Sequence, residues 1–148
     1  MTDDLTMTLT RVFDATPAQV WAAWTDPAIL PRWFGPKGYS CTTQEIDLRS
    51  GGVWRFDMLG PDGTVWPNRH RITRYTPMTA ITYLLDDGTD GYAAMQVDIT
   101  LTPDGNGVRL TQTITFPNAE AKAGAVAFGA EALGETTLDK LAAILVSG

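Results

Sequence analysis

The chain of 148 residues contains a single cysteine, Cys41, and a single histidine, His70. An internal disulfide is therefore excluded and a Cys/His metal centre cannot be assembled, so any metal would have to be held by carboxylates. The one acidic cluster, Asp86-Asp87-Gly88-Thr89-Asp90, lacks the ligand spacing of a calcium loop and reads as a solvated turn between strands. No metal and no cofactor is expected. Basic residues are also scarce: eleven Lys and Arg stand against seventeen Asp and Glu, a net charge of −6, and they are scattered along the chain. That distribution excludes the basic stripe of a nucleic-acid binder. No apolar run approaches the ~20 residues needed to cross a bilayer, and Met1-Thr2-Asp3-Asp4 has neither the basic nor the apolar region of a signal peptide. The expectation is a cytoplasmic protein without membrane insertion, folded as one domain over residues 1–148.

Tryptophan, by contrast, is plentiful and clustered. Trp21, Trp24 and Trp33 fall within residues 12–36, a segment dense in local signals. Leu5, Met7 and Leu9 alternate with threonines ahead of Val12 and Phe13, which predicts a first strand. Thr16-Pro17-Ala18-Gln19 follows as a capping box with proline at the tolerated first helical position. Asp26-Pro27 repeats the device for a second helix, kept short by Pro31 and ended by Gly35-Pro36. Large aromatics at this density imply a wedge or lid over something concave, with Trp33 at its mouth.

From residue 40 to 116 the hydrophobic period is two, with turns at Gly51-Gly52, Pro61-Asp62-Gly63, Pro77-Met78, Asp86-Asp87-Gly88 and Pro103-Asp104-Gly105-Asn106-Gly107. This predicts six consecutive strands in an antiparallel meander. Met95, Val97, Ile99 and Leu101 oppose Gln96, Asp98 and Thr100; Val108, Leu110, Ile114 and Phe116 oppose Arg109, Thr111, Thr113 and Thr115. One face is wet, and the other needs cover. Asn118 caps a predicted helix to about Val146 in which Val126, Ala130, Leu133, Thr137, Leu141 and Ile144 share one side, with Glu120, Glu131, Glu135 and Asp139 opposite. Gly124, Gly129 and Gly134 cost it about 1 kcal/mol each relative to alanine; they imply either close approach to the sheet or space for a ligand.

Several motifs, in order, carry a family resemblance: Arg11-Val12-Phe13-Asp14-Ala15, Val20-Trp21-Ala22-Ala23-Trp24-Thr25-Asp26-Pro27, Arg32-Trp33-Phe34-Gly35-Pro36, Asp47-Leu48-Arg49-Ser50-Gly51-Gly52-Val53-Trp54-Arg55-Phe56, Gly60-Pro61-Asp62-Gly63-Thr64 and Leu138-Asp139-Lys140-Leu141. The chain resembles the START-like SRPBCC superfamily, in the branch named for activators of the 90-kDa heat-shock protein ATPase. The resemblance implies an α+β helix-grip (START/Bet v-like) fold, with a curved antiparallel sheet of about seven strands around a long C-terminal helix and a cavity between them. It also allows a homodimer. Because that superfamily includes lipid carriers, hormone receptors, polyketide cyclases and allergens, the fold does not select a chemistry.

Strand parity groups Trp54, Phe56 and Met58, and likewise Ile81, Tyr83 and Leu85, as apolar walls; the candidate walls of the cavity are Trp33, Trp54, Phe56, Trp66, Tyr83, Tyr92 and Phe128, the last off the main apolar stripe of its helix, with Leu133 and Thr137. Candidate polar anchors are Gln112, which interrupts the inward series of its strand, and His70 with Arg74, which share parity with Ile72; Gln44 shares parity with Ile46 and Leu48. Tyr75 and Thr73 support the opposite assignment for Arg74, a position where relatives often carry glutamate. An inward Arg74 would receive a carboxylate or enolate oxygen; the bland alternative is an ion pair with Asp47, Asp57 or Asp98, or solvent. The expected partner is a small hydrophobic or amphipathic ligand. No Ser/His/Asp set, phosphate loop or carboxylate pair is present. The chain therefore leans away from catalysis. A cofactor-independent cyclase, dehydratase or hydrolase using His70 or Arg74 is the first alternative, and a protein-interaction or co-chaperone module the second.

Overall fold

The computed structural model describes residues 5–89 and 94–147. Strand β1 (Thr6–Phe13) leads into helices α1 (Pro17–Thr25) and α2 (Leu30–Trp33). Six strands follow: β2 (Ser40–Ile46), β3 (Val53–Leu59), β4 (Val65–Thr76), β5 (Ala80–Asp86), β6 (Met95–Asp104) and β7 (Gly107–Thr115). Helices α3 (Ala119–Phe128) and α4 (Ala130–Ser147) close the chain. The strands form one antiparallel sheet in the order β1-β7-β6-β5-β4-β3-β2. Helix α4 packs on β1 and on the first two helices. This is the helix-grip architecture expected from the motif order.

Local chemistry explains the entry into the fold. The Thr16 hydroxyl accepts from Gln19 N at 3.1 Å while the Gln19 side chain accepts from Thr16 N at 2.8 Å, a reciprocal capping box that satisfies two otherwise orphaned donors. Asp26 accepts from Ala28 N through Oδ1, but this closes only a turn: α2 begins after Ile29 with no side-chain cap, so Asp26-Pro27 does not open the second helix as expected. Pro31 sits in the first turn of α2 and so removes no bond from its interior.

The C-terminal segment departs from the single helix predicted from Asn118 to Val146. Asn118 does cap it, accepting from Ala121 N at 2.8 Å, but Gly129 adopts φ +84° and ends α3 in a left-handed cap. None of the residues of α3 is buried. Its continuation α4 carries the real core stripe, with Leu138 and Leu141 fully buried, whereas Val126, placed on that stripe by periodicity, is exposed. Arg11 of β1 clamps α4 through Glu135 at 3.0 Å and Asp139 at 2.7 Å. A Cβ at Gly134 would come within 2.5 Å of Leu9 Cδ1, so this glycine exists for close helix–sheet approach. Gly124 faces open space.

Two bulges reset which side chains face the core. The β2–β3 register shifts between Thr43 and Glu45, which leaves Gln44 exposed, while Thr43, opposite the buried Phe56, accepts from Trp54 Nε1 at 3.1 Å. The β4–β5 register shifts between Ile72 and Arg74. His70 and Ile72 stay buried, Arg74 is turned outward, and Tyr75 takes the inward place against Trp21, ring centroids 5.2 Å apart. A bulge inserts one residue and so inverts the strand's parity beyond it. The inward place that parity gave Gln44 is corrected for that reason, and of the two assignments open for Arg74 the outward one holds.

Candidate functional site

The inward aromatics pack chiefly against each other. Phe34, which sequence reasoning did not single out, is the hub: its ring makes edge contacts with Trp24, Trp33, Trp54, Phe56 and His70, with centroids 5.2–6.0 Å apart. Trp54 stacks on Phe56 at 3.8 Å and His70 on Tyr83 at 4.1 Å. Trp33 is 1% exposed and donates from Nε1 to Ala23 O at 2.9 Å. It belongs to the core and does not stand at a cavity mouth. The free space left inside this cluster is about 10 Å³, bounded by Trp24, Leu30, Phe34, Leu48, Trp54, His70, Ile72, Ile81 and Tyr83. Trp54, His70 and Tyr83 therefore bound a void the size of one water, too small for an organic ligand.

Larger space begins where α4 stops covering the sheet. The inward parity of Trp54 and Phe56 continues to Met58, and that of His70 continues to Asn68 and Trp66. Past the edge of the core these side chains become the wall of an open groove of about 490 Å³, lined also by Pro36, Tyr39, Leu85, Met95, Phe128 and Leu133. A second lobe of about 600 Å³ runs under α3 along Phe116, Pro117, Ala121, Gly124 and Ala125, and shares Trp66, Met95 and Phe128 with the first. Trp66 and Phe128, 46% and 61% exposed, face each other at 6.3 Å across the junction. Parity placed Met58, Leu85 and Met95 on inward faces; the sequence held no local sign that the helix would leave them uncovered.

Electrostatics separate the groove from the core. No Lys, Arg or His is among the described residues lining either lobe. The nearby Lys140 ammonium is spent on the carbonyls of Tyr39 at 3.1 Å and Pro36 at 3.4 Å, which fixes that wall to α4. Asp86, at the groove's end, is not the solvated turn residue expected: it is 4% exposed. Its carboxylate accepts from Arg69 Nε at 2.7 Å and Nη2 at 2.9 Å, from Arg71 Nη2 at 2.8 Å and from Gly88 N at 3.0 Å. Those hydrogen bonds, the Arg69 pair foremost, hold its pKa down to about 2. Burial lowers the His70 pKa to about 3 and raises that of Cys41 to about 11, so both are neutral at pH 7. Cys41 donates its thiol to Phe34 O at 3.4 Å.

The expected site residues thus divide. Trp66, Phe128 and Leu133 line the groove; Trp33, Trp54, Phe56, His70 and Tyr83 are core. Gln112 pairs with Leu9 and Ile99, which places it on the inner face but away from the groove. Thr137 donates to Leu133 O at 3.3 Å and lines neither lobe, and Arg74 is exposed, its Nε 3.4 Å from Thr76 Oγ1. Tyr92 lies outside the described residues. Among the described residues no group of three or more His, Cys, Asp or Glu is arranged to hold a metal ion, and no helix is long and apolar enough to cross a membrane.

The family model described as "Activator of Hsp90 ATPase homolog 1-like protein" matches residues 14–146. The chain belongs to this family. Solved structures of similar proteins agree with the assignment. Protein Ms6760 from Mycobacterium smegmatis is 26% identical, with TM-score 0.87 over 97% of this chain and 92% of that one. A protein from Arthrobacter aurescens is 25% identical, with TM-score 0.88 over 99% and 91%. Protein CV1439 from Chromobacterium violaceum is 26% identical, with TM-score 0.81 over 95% and 96%. Among curated proteins none matches this chain. Membership secures the helix-grip fold and its sheet–helix layout.

Proposed function

We propose that this family member binds a small, mostly apolar organic molecule in the two-lobed groove between the sheet and α3. The observation that carries the reading is the groove itself: about 490 Å³ in the first lobe, lined by two methionines, a leucine pair and three aromatic rings with Asn68, Asp86 and Asp87 as polar exceptions. Binding sites for small molecules are concave, largely apolar and of this size, and methionine adapts to irregular apolar shapes. With no cationic side chain among the described lining residues, the ligand's polar end is uncharged or positively charged. The second lobe, open along α3, suits an elongated molecule that passes between Trp66 and Phe128.

Acid–base catalysis receives no support from the residues available. His70 is sealed in the core and neutral, its pKa near 3, and Arg74 lies outside the groove, so neither candidate meets a molecule bound there. The family's name describes activation of a chaperone ATPase, and nothing in the groove's chemistry requires that partner.

Native mass spectrometry of the protein purified from its source cells, with titration by the neutral dye Nile red, tests the reading. A co-purifying small molecule, or saturable dye fluorescence weakened in Trp66→Ala, supports it. Absence of both overturns it.

A further inference from the structure

Two buried side-chain atoms among the described residues have no hydrogen-bond partner: Trp24 Nε1 and His70 Nε2. The two residues are far apart in sequence, on α1 and β4, yet both bound the same internal void of about 10 Å³. The rest of its lining is apolar or aromatic, including Phe34, Ile72, Ile81 and Tyr83. Buried polar groups without partners are rare in native folds, because each forfeits the hydrogen bonds it made with water. Two in one void, among so much carbon, call for a shared partner.

Their chemistry is complementary but not directly matched. An indole N–H can only donate, and Nε2 of an uncharged imidazole accepts when the ring proton is on Nδ1. Neither atom reaches the other, since both are unpartnered. A water molecule resolves the mismatch, being able to accept from one and donate to the other. The void has about the volume that one water requires, and two polar neighbours meet the lower end of what buried waters are found with. An organic group would not fit.

We propose that this void is a binding site for a single structural water, which accepts from the Trp24 indole N–H and donates to His70 Nε2. The bridge ties the first helix to the middle of the sheet and fixes the imidazole as the Nδ1–H tautomer. It also explains a histidine in an aromatic core: His70 serves as a buried acceptor. The site is separate from the groove, so it stands whether or not the groove binds a ligand.

Because His70 is the chain's one histidine, nitrogen NMR of the imidazole is unambiguous. The experiment is to record ring 15N shifts and water-to-indole cross-relaxation on the intact labelled protein, with Trp24→Phe to assign the Trp24 signal. The expected result is an unprotonated Nε2 at pH 7 and a cross-peak between water and the Trp24 indole proton. That peak should survive in Tyr83→Phe, which removes the hydroxyl carried by the void's lining residues, and disappear in His70→Phe, which removes the acceptor. A proton on Nε2, or no water cross-peak at Trp24 in the wild-type protein, overturns the proposal. So does a crystal structure at about 1.5 Å without density in the void. If His70→Phe does not fold, the wild-type tautomer, cross-peak and density decide the question alone.

Discussion

His70 and Tyr83 lie ring on ring, centroids 4.1 Å apart and planes 13° from parallel, on adjacent strands of the core. Charging His70 there would bury a cation in the aromatic core away from bulk solvent, which is why its pKa falls from 6.5 to about 3. The unfolded chain binds the proton readily below pH 6.5 and the folded chain does not. The stabilisation is therefore complete above pH 6.5 and is lost as pH falls from 6.5 toward 3, by about 1.4 kcal/mol per pH unit. Thermal unfolding at pH 7, 6, 5 and 4 should show the loss, and His70→Phe should flatten it over pH 6.5–5. An unchanged slope in the variant would assign the acid sensitivity to other groups.

Asp86 is the electrostatic pin of the β4–β5 pair. Removing its carboxylate leaves the Arg69 and Arg71 guanidinium groups without their shared acceptor. Both arginines keep some solvent access, with side chains 28% and 45% exposed, so the loss is smaller than for a fully buried pair. Asp86→Ala should lower unfolding free energy by about 2 kcal/mol, while Arg74→Ala, at an exposed site, should stay within about 0.5 kcal/mol. Denaturant unfolding of the two variants measures the contrast.

Glycines in the C-terminal helices should respond with opposite signs. Gly134→Ala drives a methyl into Leu9 and should cost about 1–3 kcal/mol despite alanine's better helix propensity. At Gly124 the same change meets nothing within 4 Å and should stabilise by up to about 1 kcal/mol. Melting temperatures check both directions.

For the groove, Trp66→Ala and Phe128→Ala should weaken Nile red binding by about tenfold with little change in melting temperature, since both side chains are already exposed. Trp54→Ala should instead cost about 3–5 kcal/mol of stability. Calorimetry with 2-naphthylmethanol and 2-naphthoate addresses ligand charge. The alcohol should bind at least about fivefold more tightly, because the described lining has no cation to receive a carboxylate; tighter binding of the naphthoate would refute that.

Much of the fold was readable because it rests on short-range rules. The capping box at Thr16, the turn dipeptides and the alternation along β6 and β7 each act over a few residues, and the order of motifs identified the superfamily. The candidate site was less legible. Trp66, Phe128 and Leu133 were among the named candidates and line the groove, and parity placed Met58, Leu85 and Met95 on inward faces, but Phe34 was not singled out, and parity pointed Gln44 inward and left the face of Arg74 open. Strand parity propagates only until a bulge. Whether a bulge forms at Thr73 or Gln44 depends on the pairing partner across the ladder, which the strand's own residues do not encode.

The tryptophan-rich segment marks the same boundary. The sequence by itself determined that Trp21, Trp24 and Trp33 belong to two short helices after the first strand, that a meander follows, and that a C-terminal helix covers it. The tertiary structure decided that those tryptophans fill the interior, that Gly129 breaks the final helix, and that α4 leaves one end of the sheet uncovered. The physical reason is that periodicity tells which side chains point inward, but not how far the covering element extends over them. Where α4 reaches, inward aromatics are core; beyond it, the same pattern continues as the groove.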